Sequence, residues 1–143
     1  MIVCIDTNVV LGMFGQTAPW LLLRHGLLAN EFSWVLSNEI TLEYEEVAAR
    51  EIGAAYAARI GLFIELVGQT RGNIHLISPD FRFQTIQADL DDNKFADCAI
   101  CANADYIITL DRHFQQMKGY GYRPQPITPD EFISRHLPKK QES

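Results

Sequence analysis

Cysteine is scarce in this chain, with Cys4, Cys98 and Cys101 the only three among 143 residues, all in apolar stretches. A disulfide framework needs more pairs than this, and a structural zinc site needs four Cys or His ligands. Cys98-x-x-Cys101 has no matching second pair and the four histidines (His25, His75, His113, His136) are scattered, so buried thiols are the expectation. Positive charge is also short. Twelve Lys and Arg stand against eighteen Asp and Glu, a net charge of -6, and the pI is near 5.1. Such a balance excludes indiscriminate attraction to phosphate or to an anionic membrane, so any nucleic-acid contact has to be local or bridged by a metal. No apolar run approaches the roughly eighteen residues that span a bilayer. Leader-like features, repeats and linkers are missing too, which points to one cytoplasmic domain over residues 1–137 with a polar tail at 138–143.

What is present is an apolar fraction of 48%, enough for a real core. Ile2 to Ile5 is a β-branched run that stops at Asp6-Thr7-Asn8, the pattern of a buried strand reaching a sheet edge. Val9 to Phe14 and Trp20 to Leu28 read as helical around a break at Gly15 to Pro19, and Phe32 to Leu36 reads as a second strand. Ser37 is placed to cap a helix over Asn38 to Arg50, in which Ile40, Tyr44, Val47 and Ala48 recur at helical spacing. A further helix is predicted over Ala54 to Val67, a strand over Ile74 to Ile77, and a loop or short helix over 79–91 anchored by Phe81, Phe83 and Ile86. Asn93 to Ala102 reads as a helix ended by Asn103, and Tyr106 to Thr109 as a strand. A short helix over Arg112 to Met117, an edge strand over Gln125 to Ile127 and a closing helix over Pro129 to His136 complete the chain.

Strands separated by helices predict an α/β fold with a mostly parallel sheet, in which ligands gather beyond the carboxyl ends of the strands. Asp6 follows the first strand and Asp111 the fourth, so both project from that edge; Asp91 and Asp92 open the helix leading into the fourth strand. Asp97 sits on the margin of that helix's apolar face, and Glu43 lies about two turns into the helix after the second strand. Converging carboxylates repel one another, and a divalent cation is the simple remedy. Hard oxygen ligands without a His or Cys set favour Mg²⁺ or Mn²⁺ and suit phosphodiester hydrolysis.

These residues resemble a known family. Asp6-Thr7-Asn8-Val9, the Ser37 to Glu43 spacing followed by Tyr44, the run Asp91-Asp92-Asn93-Lys94-Phe95-Ala96-Asp97, and Ala104 to Asp111 are similar to a PIN domain, in order over nearly the whole chain. Ile127 to Phe132 resembles the end of its PilT-like bacterial branch. The resemblance implies a three-layer α/β/α sandwich and a Mg²⁺- or Mn²⁺-dependent ribonuclease acting on RNA, often the toxin partnered by an antitoxin. It makes Asp6, Glu43 and Asp111 the first, second and fourth acids, with Asp92 or Asp97 as the third and both open as ligands. Asn8 and Thr109 match polar positions that orient the acids, while Leu110 stands where a small or basic residue is common.

Plainer roles stand beside these. Asp6, Asp92 and Asp111 are each placed to cap a helix, and Glu43 has the exposed company of Glu39, Glu45 and Glu46. Arg82, Lys94 and Arg112 are candidates for a phosphate-binding rim, though isolated charges are commonly just solvated; His113 follows the site closely enough to touch RNA but reads first as a surface residue, and Trp20 and Trp34 read as core. Leu21, Leu22, Leu23, Leu27 and Leu28 carry more apolar surface than one helix buries on a sheet, so a homodimer or antitoxin contact is expected there. The rival enzyme reading is a haloacid-dehalogenase-like phosphatase with Asp6 as nucleophile, against which Asn8 stands at the place of its second Asp. The non-enzyme rival is an inactive PIN fold that binds RNA or protein.

Overall fold

The computed structural model describes residues 1–78, 93–118 and 123–138. Strands β1 (Ile2–Ile5), β2 (Ser33–Leu36), β3 (Ile74–Leu76), β4 (Tyr106–Ile108) and β5 (Gln125–Ile127) form one sheet in the order β3-β2-β1-β4-β5. Every pairing is parallel. The helices are α1 (Thr7–Leu11), α2 (Leu21–Leu28), α3 (Asn38–Glu51), α4 (Ala54–Arg71), α5 (Asn93–Cys101) and α6 (Pro129–His136), with a 3₁₀ turn over Arg112–Met117. The predicted α/β class holds. The loop or short helix expected over 79–91 lies outside the described residues, as do most of the polar tail and the anchors Phe81, Phe83 and Ile86.

Parallel strands need crossover segments, and the helices that supply them cover both faces of the sheet. Consecutive residues Val3, Cys4 and Ile5 point to opposite faces, yet all are fully buried. Alternation therefore fails in β1 for the reason expected of a central strand. Its register sets Val3, Cys4 and Ile5 beside Tyr106, Ile107 and Ile108, while Ile2 and Val3 pair with Ser33 and Trp34 on the other side. Chain order reverses between β1 and β4, a switch point that opens a crevice at their carboxyl ends.

An aromatic ladder runs through the core. Trp34 on β2 meets Tyr44 on α3 with ring centroids 5.7 Å apart, Tyr44 meets Phe95 on α5 at 6.2 Å, and Phe95 meets Phe114 of the 3₁₀ turn at 6.5 Å. Such rings combine large apolar area with an orientational preference, so they hold the elements in register. The Tyr44 hydroxyl also donates to the Ile5 carbonyl, joining α3 to the end of β1.

Caps fix the ends. Ser37 accepts from the Ile40 amide at 3.3 Å and starts α3 as the sequence suggests, and Thr128 accepts from the Glu131 amide at 3.2 Å at the start of α6. Asn103 takes a left-handed φ of 52° just beyond α5. Three expectations need correction. The first helix begins at Thr7 and stops at Leu11, because the Asp6 cap starts it earlier and Gly12 closes it against the Trp20 ring. Helix α4 runs on to Arg71, where Gly72 supplies the left-handed turn. Cys4 and Cys98 are buried but Cys101 is exposed, since it ends α5, where the helix leaves the sheet. No helix among the described residues is long and apolar enough to cross a membrane.

Candidate active site at the carboxyl edge of the sheet

Asp6 is the first residue beyond β1 and the N-cap of α1. Its amide donates to the Ile108 carbonyl at 2.9 Å, so the end of β1 is tied to β4. One carboxylate oxygen, Oδ1, accepts from the Thr7 amide at 2.8 Å. The other, Oδ2, accepts from the Thr109 hydroxyl at 2.8 Å. The same Thr109 oxygen accepts from the Asp111 amide at 2.9 Å. Thr109 is thus a hinge pin between the two acids, and Asp111 in turn accepts from the His113 amide at 2.9 Å as cap of the 3₁₀ turn. Imidazole Nδ1 of His113 lies 3.3 Å from the Asp111 carboxylate.

The charge on Asp6 is held under strain. Its side chain is only 6% exposed, and desolvation raises its pKa from 3.8 to about 6; Asp111 and Glu43 push in the same direction, partly offset by the Thr109 and Thr7 hydrogen bonds. A carboxylate in this condition gains from any nearby cation.

Glu43 reaches the edge from the second turn of α3. Its Oε2 takes the Thr7 hydroxyl, and its Oε1 lies 2.6 Å from the Lys94 ammonium, with the two side chains 23% and 17% exposed. Each is followed directly in sequence by a buried aromatic, Tyr44 after Glu43 and Phe95 after Lys94, and these two rings meet in the core. Thr7 had no separate place in the sequence reading, although its position directly after the cap could have marked it. Lys94, a candidate rim charge, sits against Glu43.

Asp97 lies on α5, 2% exposed, and has a polar or electrostatic partner. Asn8 is exposed on the first turn of α1. Asp91, Asp92 and Arg82 lie outside the described residues. Among the described residues no group of three or more His, Cys, Asp or Glu side chains is gathered tightly enough to hold a metal ion. The donor chemistry nevertheless fits a hard divalent cation at Asp6 and Asp111, where two oxygen-bearing acids share an edge and one carries a disfavoured buried charge.

The surface away from this edge is uneven. On α2, Leu23 and Leu27 are buried, whereas Leu22 and Leu28 are exposed. More apolar surface lies along α3 and α4, where Leu42, Ile52, Leu62 and Leu66 are exposed, with Leu76 on β3. A cleft of about 660 Å³ between these helices is lined by Leu42, Leu62 and alanines and rimmed by Glu45, Glu46 and Glu65. Trp34 is core, as expected, while Trp20 is only half-buried and donates to Asp130 at 3.2 Å.

No curated protein matches the chain. The family model for the PIN domain matches residues 2–113, from the start of β1 to just past Asp111. The match spans most of the chain and agrees with the parallel α/β architecture and the acidic switch-point edge, so the chain belongs to the PIN domain family.

Proposed function

We propose that this protein is a Mg²⁺- or Mn²⁺-dependent endoribonuclease and the toxin of a toxin-antitoxin pair. PIN domains are in general nucleases that need a divalent metal. The observation that carries the reading is the pairing of Asp6 and Asp111 through one threonine hydroxyl at the crevice between β1 and β4. Asp6 and Asp111 would hold the cation, completed by Asp92, Asp97 or both. Such a cation supplies Lewis acidity toward a phosphodiester and its attacking water. The chain's own residues do the rest: Thr109 fixes the spacing of the acids, Thr7 orients Asp6 and Glu43, and Lys94 offsets the Glu43 charge.

The phosphatase rival is not favoured, since the PIN model covers the residues on which it rested. An RNA substrate, an antitoxin protein and a second copy of this chain are the partners proposed. The exposed leucines of α2 and the acid-rimmed cleft of α3 and α4 are surfaces that partners of apolar and basic character would cover. A cytosolic setting suits three free thiols.

The test is cleavage of a structured RNA by Asp6→Asn and Asp111→Asn, which keep volume and capping but lose charge. Both variants should fold and lose activity by orders of magnitude, with little further loss on combination. Asp92→Asn and Asp97→Asn, compared side by side, identify the third acid. Wild-type cleavage by the two folded single variants would end the nuclease reading. The toxin role is checked by growth arrest on expression, relieved by Asp6→Asn.

A further inference from the structure

Lysine is ordinarily a surface residue whose ammonium stays in water. Lys94 does not follow that habit. Its side chain is largely buried in the first turn of α5, with its ammonium 2.6 Å from Glu43. The other oxygen of Glu43 is taken by Thr7, whose amide in turn donates to Asp6. Lys94 is therefore joined to the first acid of the site through two residues. Among the described lysines and arginines it is the one paired with an acid of this edge; Arg123, Arg135 and Arg50 pair elsewhere, with Asp105, Glu131 and Glu51.

A partly buried ion pair adds little net stability, because desolvation of both charges offsets much of the attraction. A hydrophobic pair would serve the core as well. The position of the cation asks for another use. A phosphodiester chain entering this edge of a protein whose net charge is -6 must approach Asp6, Glu43 and Asp111, and an ammonium fixed beside Glu43 offsets part of that repulsion. Lysine offers three N–H donors, of which one suffices for Glu43.

We propose, resting on the ribonuclease reading, that Lys94 is the site's built-in phosphate-binding cation, held in place by Glu43 to contact a non-bridging oxygen of the RNA backbone beside the acids. Glu43 is then a positioning residue with both oxygens engaged, rather than a metal ligand.

The experiment measures affinity of a labelled single-stranded RNA by fluorescence anisotropy across a salt series, in the Asp6→Asn background so that RNA is not consumed. Lys94→Met should weaken binding about tenfold and flatten the slope of log affinity against log salt by about 0.7, the loss of one phosphate contact. Lys94→Arg should restore most of both. Glu43→Gln with Lys94→Met removes the partly buried acid that Lys94→Met would leave unpaired and guards against misfolding. If Lys94 only neutralises Glu43, this double variant will match Glu43→Gln in affinity and slope, and the proposal is overturned. A slope still lowered by about 0.7 in the double variant supports it. The two readings fail separately: RNA cutting by the wild type with an unchanged slope removes the role of Lys94 alone, whereas a lowered slope without wild-type cutting removes the nuclease and leaves Lys94 as a phosphate contact.

Discussion

Asp6 caps α1 with one carboxylate oxygen and receives the Thr109 hydroxyl on the other, yet burial holds its pKa near 6. A carboxyl whose folded pKa lies above its unfolded value binds its proton more tightly in the folded state. Its contribution to stability is therefore complete below about pH 4 and is lost as pH rises through 6. Metal-free wild type should lose about 3 kcal/mol across that window relative to Asp6→Asn. Urea unfolding in chelator at pH 4 and pH 7.5 reads this directly, and parallel curves for the two proteins would contradict the buried charge. Mg²⁺ or Mn²⁺ should reverse the loss in wild type and raise its melting temperature, and should do neither in Asp6→Asn or Asp111→Asn. Thr109→Val tests the link between the acids. The variant keeps shape but leaves Asp6 Oδ2 and the Asp111 amide without their shared hydroxyl. Activity and divalent-ion affinity should each fall about tenfold to a hundredfold, measured by cleavage rate and by titration calorimetry.

The acids are only as well placed as the elements that carry them. Asn73, 2% exposed at the start of β3, donates from Nδ2 to the Leu27 carbonyl at 2.8 Å and the Phe32 carbonyl at 3.1 Å. One side chain thus ties the end of α2, the entry to β2 and the entry to β3. Asn73→Ala should cost about 2 to 3 kcal/mol, because two buried carbonyls lose their donor, and denaturant midpoints will show it. Since Asn73 lies at the end of the sheet opposite the acids, the folded variant should retain its divalent-ion affinity. Much of this level was legible in advance. Strand β1, the Ser37 cap and the α3 pattern of Ile40, Tyr44 and Ala48 are local signals, and the structure follows them. The ends of α1 and α4 were not, because a cap hydrogen bond from Asp6 and a left-handed Gly72 decide them more finely than periodicity does.

Among the described residues, exposed large apolar side chains lie on α3 and α4 (Leu42, Leu62, Leu66) as well as on the leucine-rich α2 (Leu22, Leu28). Helix α2 meets both α4 and α6 and buries Leu23 and Leu27, while Leu22 and Leu28 stay exposed. Leu42→Ser with Leu62→Ser should change stability by less than about 1 kcal/mol, since both side chains are exposed. The same pair should weaken association with any partner seated in the acid-rimmed cleft at least tenfold, by sedimentation. Unchanged association would move the partner to the Leu22 and Leu28 face of α2.

Periodicity, capping and turn chemistry act within a few residues, so the order of strands and helices and the α/β class follow from the amino acids in line. The same local logic put Asp6 and Asp111 at strand ends and therefore at one edge of a parallel sheet. It could not supply the contact between them. Thr109 and Asp6 are 103 residues apart, and they touch because β1 pairs with β4 rather than with β3. The burial that raises Asp6, the pairing of Lys94 with Glu43 and the exposure of Cys101 likewise depend on which surfaces the packed helices cover. Those are sums over distant neighbours, and desolvation and Coulomb forces take their values only once the sheet and helices have closed around each side chain.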